Sequence, residues 1–276
     1  MGSDSGRIVI LEANLERREF VKIHQETFGK TGVRRIVPGE YLAADPKGRA
    51  VMISAVEKQK FVYILNRDNN NKMTISSPLE AHKSHTICFD ICGLDVGYEN
   101  PLFAAIEVDY GDADNDTSSV VTGNYQKLLT YYEMDLGLNH VVRKNFDNIH
   151  NSAHMLIPVP GSQDGPGGVI VCCENFISYR NTNQDISSPL PRRNELPSDK
   201  GIMIVSYAMH KQKDLLFFLV QSEYGDIYKV TLHATSEIVH GLHIQYFDSI
   251  PTCTSICVLK NGFLFAASEF SNQYNY

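Results

Sequence analysis

The chain contains no tryptophan, so the Trp-Asp pair of one large class of propeller repeats is missing. No apolar run approaches the roughly 20 residues that a helix needs to cross a bilayer, which excludes a transmembrane helix and, with it, a membrane partner of that kind. The N-terminus lacks the basic and apolar regions of a secretory signal peptide. Met1-Gly2-Ser3-Asp4-Ser5-Gly6 opens like a myristoylation signal, but Gly6 stands where Ser or Thr is required. Basic residues are outnumbered, with 25 Lys and Arg against 32 Asp and Glu and a formal charge of −7. A chain of that balance does not coat bare nucleic acid through charge alone. Six cysteines without a secretory signal are expected to be reduced, in the cytosol or nucleus. In such a compartment the Asn115-Asp116-Thr117 sequon carries no meaning.

Catalytic signatures are equally scarce. No serine sits in a Gly-x-Ser-x-Gly elbow, and Gly161–Gly168 is not followed by the Lys-Ser/Thr of a phosphate-binding loop. His82-x2-His85-x2-Cys88-x3-Cys92 is the one metal-like spacing. On an extended strand Cys88 and Cys92 share a face, but their Cα atoms stand about 13 Å apart, too far for one zinc ion without a bend. Cys253 and Cys257 repeat the spacing, and the same argument applies. The expectation is a protein with no metal, no cofactor, no small-molecule substrate and no catalytic residues.

What the chain does have is a hairpin grammar that recurs. Leu215–Val220 is an apolar run long enough for a strand and too short for a helix. It meets a turn cluster, Ser222–Asp226, and then an alternating stretch, Ile227–Leu232. A buried strand, a Gly/Asp turn and an alternating strand together predict a β-hairpin. The pattern returns at 50–65, at 101–136, at 167–179 and at 262–276, and Arg7–Leu11 opens the chain without a preceding strand. An acid marks each turn, at Asp4, Glu57, Glu107, Glu174, Glu223 and Glu269. The repeat of roughly 45–50 residues is the period of propeller blades. The acids recur by position, which points to a structural role, since Asp and Glu side chains at turns accept local backbone N–H groups.

The connections are polar. Asp112–Ser119 reads as an acidic surface loop, and Asn181–Lys200, with Pro189, Pro191 and Pro197, reads as a long loop between blades. The expected class is all-β. The expected architecture is one partial propeller domain over residues 1–276, an arc of about five to six four-stranded blades, with both ends cut within blades. Such an arc exposes strand edges, so the piece alone is expected to be poorly soluble. Three basic pairs, Arg34-Arg35, Arg143-Lys144 and Arg192-Arg193, are the candidate partner-binding residues. The plain reading makes them solvated rim charges; the sharper one has Arg192-Arg193 dock into an acidic groove on a partner.

The wording of particular segments resembles a known family. The residues that carry the match are Gly2-Ser-Asp-Ser-Gly-Arg-Ile-Val-Ile-Leu-Glu12, Lys22-Ile-His-Gln-Glu-Thr-Phe-Gly-Lys30, Arg34-Arg-Ile-Val-Pro-Gly39 and Asp45-Pro-Lys-Gly-Arg-Ala-Val-Met-Ile-Ser-Ala55. They continue with Thr74-Ile-Ser-Ser-Pro-Leu-Glu-Ala-His82, Asp135-Leu-Gly-Leu-Asn-His-Val-Val-Arg-Lys144 and Gly262-Phe-Leu-Phe-Ala-Ala-Ser-Glu-Phe270. The family unites the large propeller subunits of splicing factor 3b, of UV-damaged DNA-binding protein and of the cleavage and polyadenylation specificity factor. The strings resemble its splicing branch. Its members are several times longer, with three propellers and a helical C-terminal part, and this chain resembles an interior portion of the first propeller. The resemblance implies a nuclear, non-enzymatic scaffold of the splicing factor 3b complex, within the particle that recognises the intron branch site. Its implied partners are the helical-repeat subunit and the small subunits of that complex, with RNA contact at most indirect or minor. The alternative within the family is an adaptor of a ubiquitin ligase or a DNA-damage complex. The two loops named above depart most from the family pattern.

Overall fold

A computed structural model describes residues 1–3, 6–28, 36–70, 72–81, 83–114, 125–182, 184–213, 215–235, 238–269 and 274–275. Two compact units divide the chain, Met1–Asn151 and Ser152–Tyr276. Among the described residues the regular structure is β apart from one helical turn, α1 (Gly111–Asp114), and the strand pairings are antiparallel. The all-β expectation is met.

In the first unit β1 (Arg7–Asn14) pairs with β2 (Glu19–Thr27). The next sheet runs β3 (Tyr41–Ala44), β4 (Ala50–Ser54), β5 (Lys60–Arg67) and β6 (Met73–Ile75), and β7 (Leu79–Glu80) returns to β5. The third sheet is the meander β8 (Thr86–Leu94), β9 (Leu102–Asp109), β10 (Lys127–Asp135) and β11 (His140–Asn148).

In the second unit β12 (Met155–Pro158), β13 (Val169–Cys173), β14 (Phe176–Asn181) and β15 (Gln184–Pro189) form one meander. Another comprises β16 (Ile204–Gln212), β17 (Leu215–Ser222), β18 (Asp226–Thr235) and β19 (Ile238–Ser249). The last holds β20 (Ser255–Val258), β21 (Leu264–Ala267) and β22 (Tyr274–Asn275).

The expected hairpins are present as β4–β5, β9–β10, β13–β14, β17–β18 and β21–β22. Strands in the middle of these meanders are buried on both faces: Phe103–Val108 of β9 and all of β13 are buried, which explains their unbroken apolar runs. Edge strands such as β2 and β11 are largely exposed and correspondingly polar.

Two expectations are corrected. The stretch from Asn181 to Lys200 is not one long loop, because β15 occupies Gln184–Pro189 and pairs with β14. Its burial alternates, with Asp185, Ser187 and Pro189 outward, and only Ile186 joins the core, so it carries almost no apolar signal. Polar ties replace that signal: Ser178 donates to Asp185 at 3.0 Å, and Arg180 pairs with Asp185 at 2.9 Å. The acid series is likewise not one of turns throughout. Glu107 lies inside β9 and is 1% exposed.

Two close approaches set local geometry. At the β17–β18 turn Gly225 has φ +85°, and a Cβ there would stand 2.3 Å from the Ile250 carbonyl oxygen. Only glycine combines that backbone with that approach. In the first unit a Cβ on Gly93 of β8 would stand 2.1 Å from the Ala44 carbonyl oxygen at the end of β3. The obstacle is backbone, so two sheets must separate to admit one methyl group. Gly93→Ala is therefore expected to destabilise the chain by about 1–3 kcal/mol, read as a shift of the denaturation midpoint. Gly241→Ala, whose Cβ meets nothing within 4 Å, serves as control and is expected to stay within about 0.5 kcal/mol of wild type. Equal midpoints for the two variants would show that β3 and β8 are not locked together.

Candidate functional site

The most concentrated ionisable chemistry lies inside the first unit. Lys60 of β5 and Glu107 of β9 are 2% and 1% exposed and form an ion pair. Tyr132 of β10 donates to both carboxylate oxygens at 3.0 Å, and Lys60 Nζ stands 4.9 Å from the centre of the Tyr132 ring. Burial opposes the charge on Lys60, but attraction to Glu107, Cys88 and Tyr132, with the hydrogen bond to Glu107, together outweighs it, and the lysine pKa is raised. Burial, with the neighbouring carboxylate, raises the Tyr132 phenol as well. Cys88 of β8 borders the group, and burial pushes its thiol up to about 12. A lysine, a glutamate and a tyrosine in contact are the ingredients of proton transfer. Here the charges are spent on one another, the lysine stays protonated, and the set fastens three strands.

The sequence reading missed this group although a signal exists. Lys60, Val62 and Ile64 alternate on one face of β5, and the lysine is as buried as the aliphatics in phase with it. An inward lysine on one strand calls for an inward acid on a neighbour. Glu107, in phase with Phe103 and Ala105 on β9, is that acid.

The other acids of the repeat take separate roles. Glu57 is 5% exposed and accepts a hydrogen bond from Tyr110. Glu174, Glu223 and Glu269 are exposed, and Asp4 lies outside the described residues. Local N–H groups are instead capped elsewhere. Asn14 accepts from Glu16 and Arg17 at 3.1 and 3.0 Å, and Asp135 accepts from Gly137 and Leu138 at 2.9 and 3.0 Å.

The basic pairs separate. Arg34 and Arg35 lie outside the described residues. Arg143 and Lys144 are strand neighbours and therefore project to opposite faces. Lys144 pairs with Glu133 at 2.8 Å, and that bond, with one from Asn100, holds the Glu133 carboxyl below its usual range although partial burial pushes it up. Arg192 donates to the carbonyls of Pro197 and Lys200 and so ties its own loop. Arg193 Nε stands 2.8 Å from Oδ2 of Asp226, which is 0% exposed. Neither atom makes a formal hydrogen bond there, so the contact is one of charge rather than aligned donation.

Arg143 borders a groove. With Lys83, His140, Asn139 and Tyr132 it lines a groove of about 490 Å³ between the β7 segment and β11, closed by Leu79, Ala81 and Val141. Its Nη2 reaches Thr130 at 3.5 Å, its guanidinium lies 4.9 Å from the Phe146 ring centre, and its buried Nε has no acceptor among the described residues.

Of the metal-like spacing, His82 lies outside the described residues, His85 packs edge-on to Tyr110, and Cys88 and Cys92 are buried in β8. Burial also holds the Cys92 thiol well above its ordinary value. Among the described residues no three His, Cys, Asp or Glu side chains group to hold a metal ion.

Comparison with known proteins follows the same lines. The chain matches the family described as "RSE1/DDB1/CPSF1 first beta-propeller" over residues 1–276. It is 60% identical over 273 residues to spliceosome-associated protein 130 A of Arabidopsis thaliana, covering 99% of this chain and 22% of that protein. It is 56% identical over 280 residues to splicing factor 3B subunit 3 of Danio rerio, with 100% of this chain and 23% of that protein covered. With pre-mRNA-splicing factor RSE1 of Pyricularia oryzae it shares 52% identity over 290 residues, covering 100% of this chain and 24% of that protein. The chain thus spans between a fifth and a quarter of the length of these relatives. Its antiparallel meanders, repeating at blade length, are what a portion of a propeller requires, and the chain belongs to the RSE1/DDB1/CPSF1 first beta-propeller family.

Proposed function

We propose that the chain is part of a nuclear, non-enzymatic scaffold that acts in pre-mRNA splicing as a component of the splicing factor 3b complex. The observation that carries this reading is identity of 52–60% along essentially the whole chain to proteins named for splicing. In this reading residues 1–276 form one partial propeller domain. Its work is to present loops and strand edges to the helical-repeat subunit and the small subunits, in the particle that recognises the branch site. The site chemistry supports a scaffold: the buried charges of Lys60 and Glu107 neutralise each other, and Arg192 and Arg193 are spent on intrachain contacts. RNA contact is indirect or minor in this proposal, in keeping with the formal charge of −7.

The test is affinity purification of the tagged full-length protein followed by mass spectrometry. The expected result is recovery of the other splicing factor 3b subunits well above an untagged control. Recovery of a cullin or of DNA-repair proteins without splicing subunits would replace the proposal with the adaptor reading.

A further inference from the structure

We propose that the groove between β7 and β11 is a docking site for a carboxylate side chain on an extended, partly apolar peptide segment of a partner protein, with Arg143 as its anchor. The proposal starts from an imbalance in how the groove's cations are used. Lys83 is already paired with Asp109. Burial works against the Asp109 charge, but the bonds from Lys83 and from the Gly111 amide hold its carboxyl below the usual range. Lys144, next in sequence to Arg143, is on the other face of β11 with Glu133. Arg143 feels the same Asp109 carboxylate at longer range, and its direct contacts are a distant hydroxyl at 3.5 Å and the face of Phe146. Its Nε–H is buried with no acceptor among the described residues. A guanidinium N–H withdrawn from water and given no acceptor loses free energy on folding. A carboxylate in the groove meets the terminal Nη groups instead, and its two oxygens give the guanidinium the charge-assisted bonds that the chain does not.

The surroundings choose among anionic partners. The floor and walls include Leu79, Ala81 and Val141, and the polar rim adds His140 and Asn139. Glu80 is the one carboxylate of the lining, and it is exposed. A volume of about 490 Å³ accommodates a few residues of extended chain. Nucleic acid would need cations along its backbone and exposed rings for stacking. Among the described residues the groove offers one guanidinium outside an ion pair; its Tyr132 is 1% exposed and bonded to Glu107, and His140 is the single exposed ring of the lining, too few for a run of stacked bases. One acid flanked by aliphatic residues fits this lining. The inference does not depend on which complex the protein joins.

The test uses the full-length protein and two fluorescein-labelled pentapeptides, Gly-Leu-Glu-Leu-Gly and its Gln counterpart, followed by fluorescence anisotropy. The Glu peptide is expected to bind at least about tenfold more tightly than the Gln peptide, a difference of ~1.4 kcal/mol. Arg143→Gln is expected to remove that preference. Arg143→Lys, which keeps the charge but loses the fork, is expected to retain part of it, and Lys144→Gln is expected to leave it unchanged. Side-chain 15N spectra supply a second reading that needs no variant to fold: the Arg143 Nε–H signal should move saturably with the Glu peptide and remain still with the Gln peptide. Equal affinity for the two peptides, no binding of the Glu peptide at millimolar concentration, or an unmoved Arg143 signal would each overturn the proposal. So would a single-stranded oligouridylate that moves the Arg143 signal at lower concentration than the Glu peptide, which would make the groove a nucleic-acid site.

Discussion

Glu107→Leu is expected to cost about 3–5 kcal/mol of stability, enough to unfold a marginal domain at ordinary temperature. The reason is what the substitution leaves behind. Lys60 is 2% exposed, so removing its partner strands an ammonium in the interior between β5 and β9. Glu107→Gln keeps the size and the bond to Tyr132 but still orphans the charge, so it is expected to cost nearly as much. The double variant Lys60→Met, Glu107→Leu carries no buried charge and should regain most of the loss, since well-packed aliphatics often equal or exceed a buried ion pair. Tyr132→Phe added to that pair removes the last unmatched hydroxyl and should not lower stability further. Because the lysine pKa is raised, the pair contributes fully below the ordinary lysine value of ~10.4. Its contribution is lost only as pH climbs through the higher folded value. Urea denaturation followed by circular dichroism reads all of these. A loss below about 1 kcal/mol for Glu107→Leu would mean that the charges are solvated and that the fastening role is wrong.

How much of this was legible in the chain follows from which forces leave a mark on local pattern. Strands buried on both faces had to be apolar without interruption, so β9, β13 and β17 could be located within a residue or two, and the repeat followed from them. A strand held mainly by polar ties leaves no such mark: β15 needs only Ile186 inward and binds its neighbour through Asp185, which is why it passed for part of a loop. The regularity of the acids was misleading for a related reason. Recurrence in sequence placed Glu107 with Glu174 and Glu223, yet β9 continues past Glu107 to Asp109, so a residue grouped with two exposed turn acids is itself interior. Which of two adjacent basic residues is engaged also depends on partners far along the chain. Arg143 and Lys144 look alike in sequence, and only the pairing of β10 with β11, with Tyr132 opposite Arg143 and Glu133 beside Lys144, separates them. Close approach of backbones, as at Gly93, has no sequence signature beyond the glycine itself.

The same logic makes Phe218→Ala the largest expected loss in the second unit, about 3–5 kcal/mol. Phe218 is 0% exposed in β17, where it faces Val230 of β18 across the hairpin and Met209 of β16 on its other side. It belongs to a cluster that also holds Val220, Tyr228, Ile170 and Tyr179, so its ring is shared between the β12–β15 and β16–β19 meanders. Truncation removes the transfer free energy of the ring and leaves a cavity that strands on both sides, fixed by their ladders, cannot close. Phe218→Leu fills most of that space and is expected to cost less than half as much. Leu215→Ala, three residues earlier at the 50% exposed end of the same strand, removes aliphatic surface without opening a cavity and is expected to stay below about 1 kcal/mol. Denaturation midpoints of the three variants should therefore fall in the order Leu215→Ala, Phe218→Leu, Phe218→Ala. If Phe218→Ala were no worse than Leu215→Ala, the apolar run that organises the repeat would be a propensity signal for strand and not the packed joint between two blades.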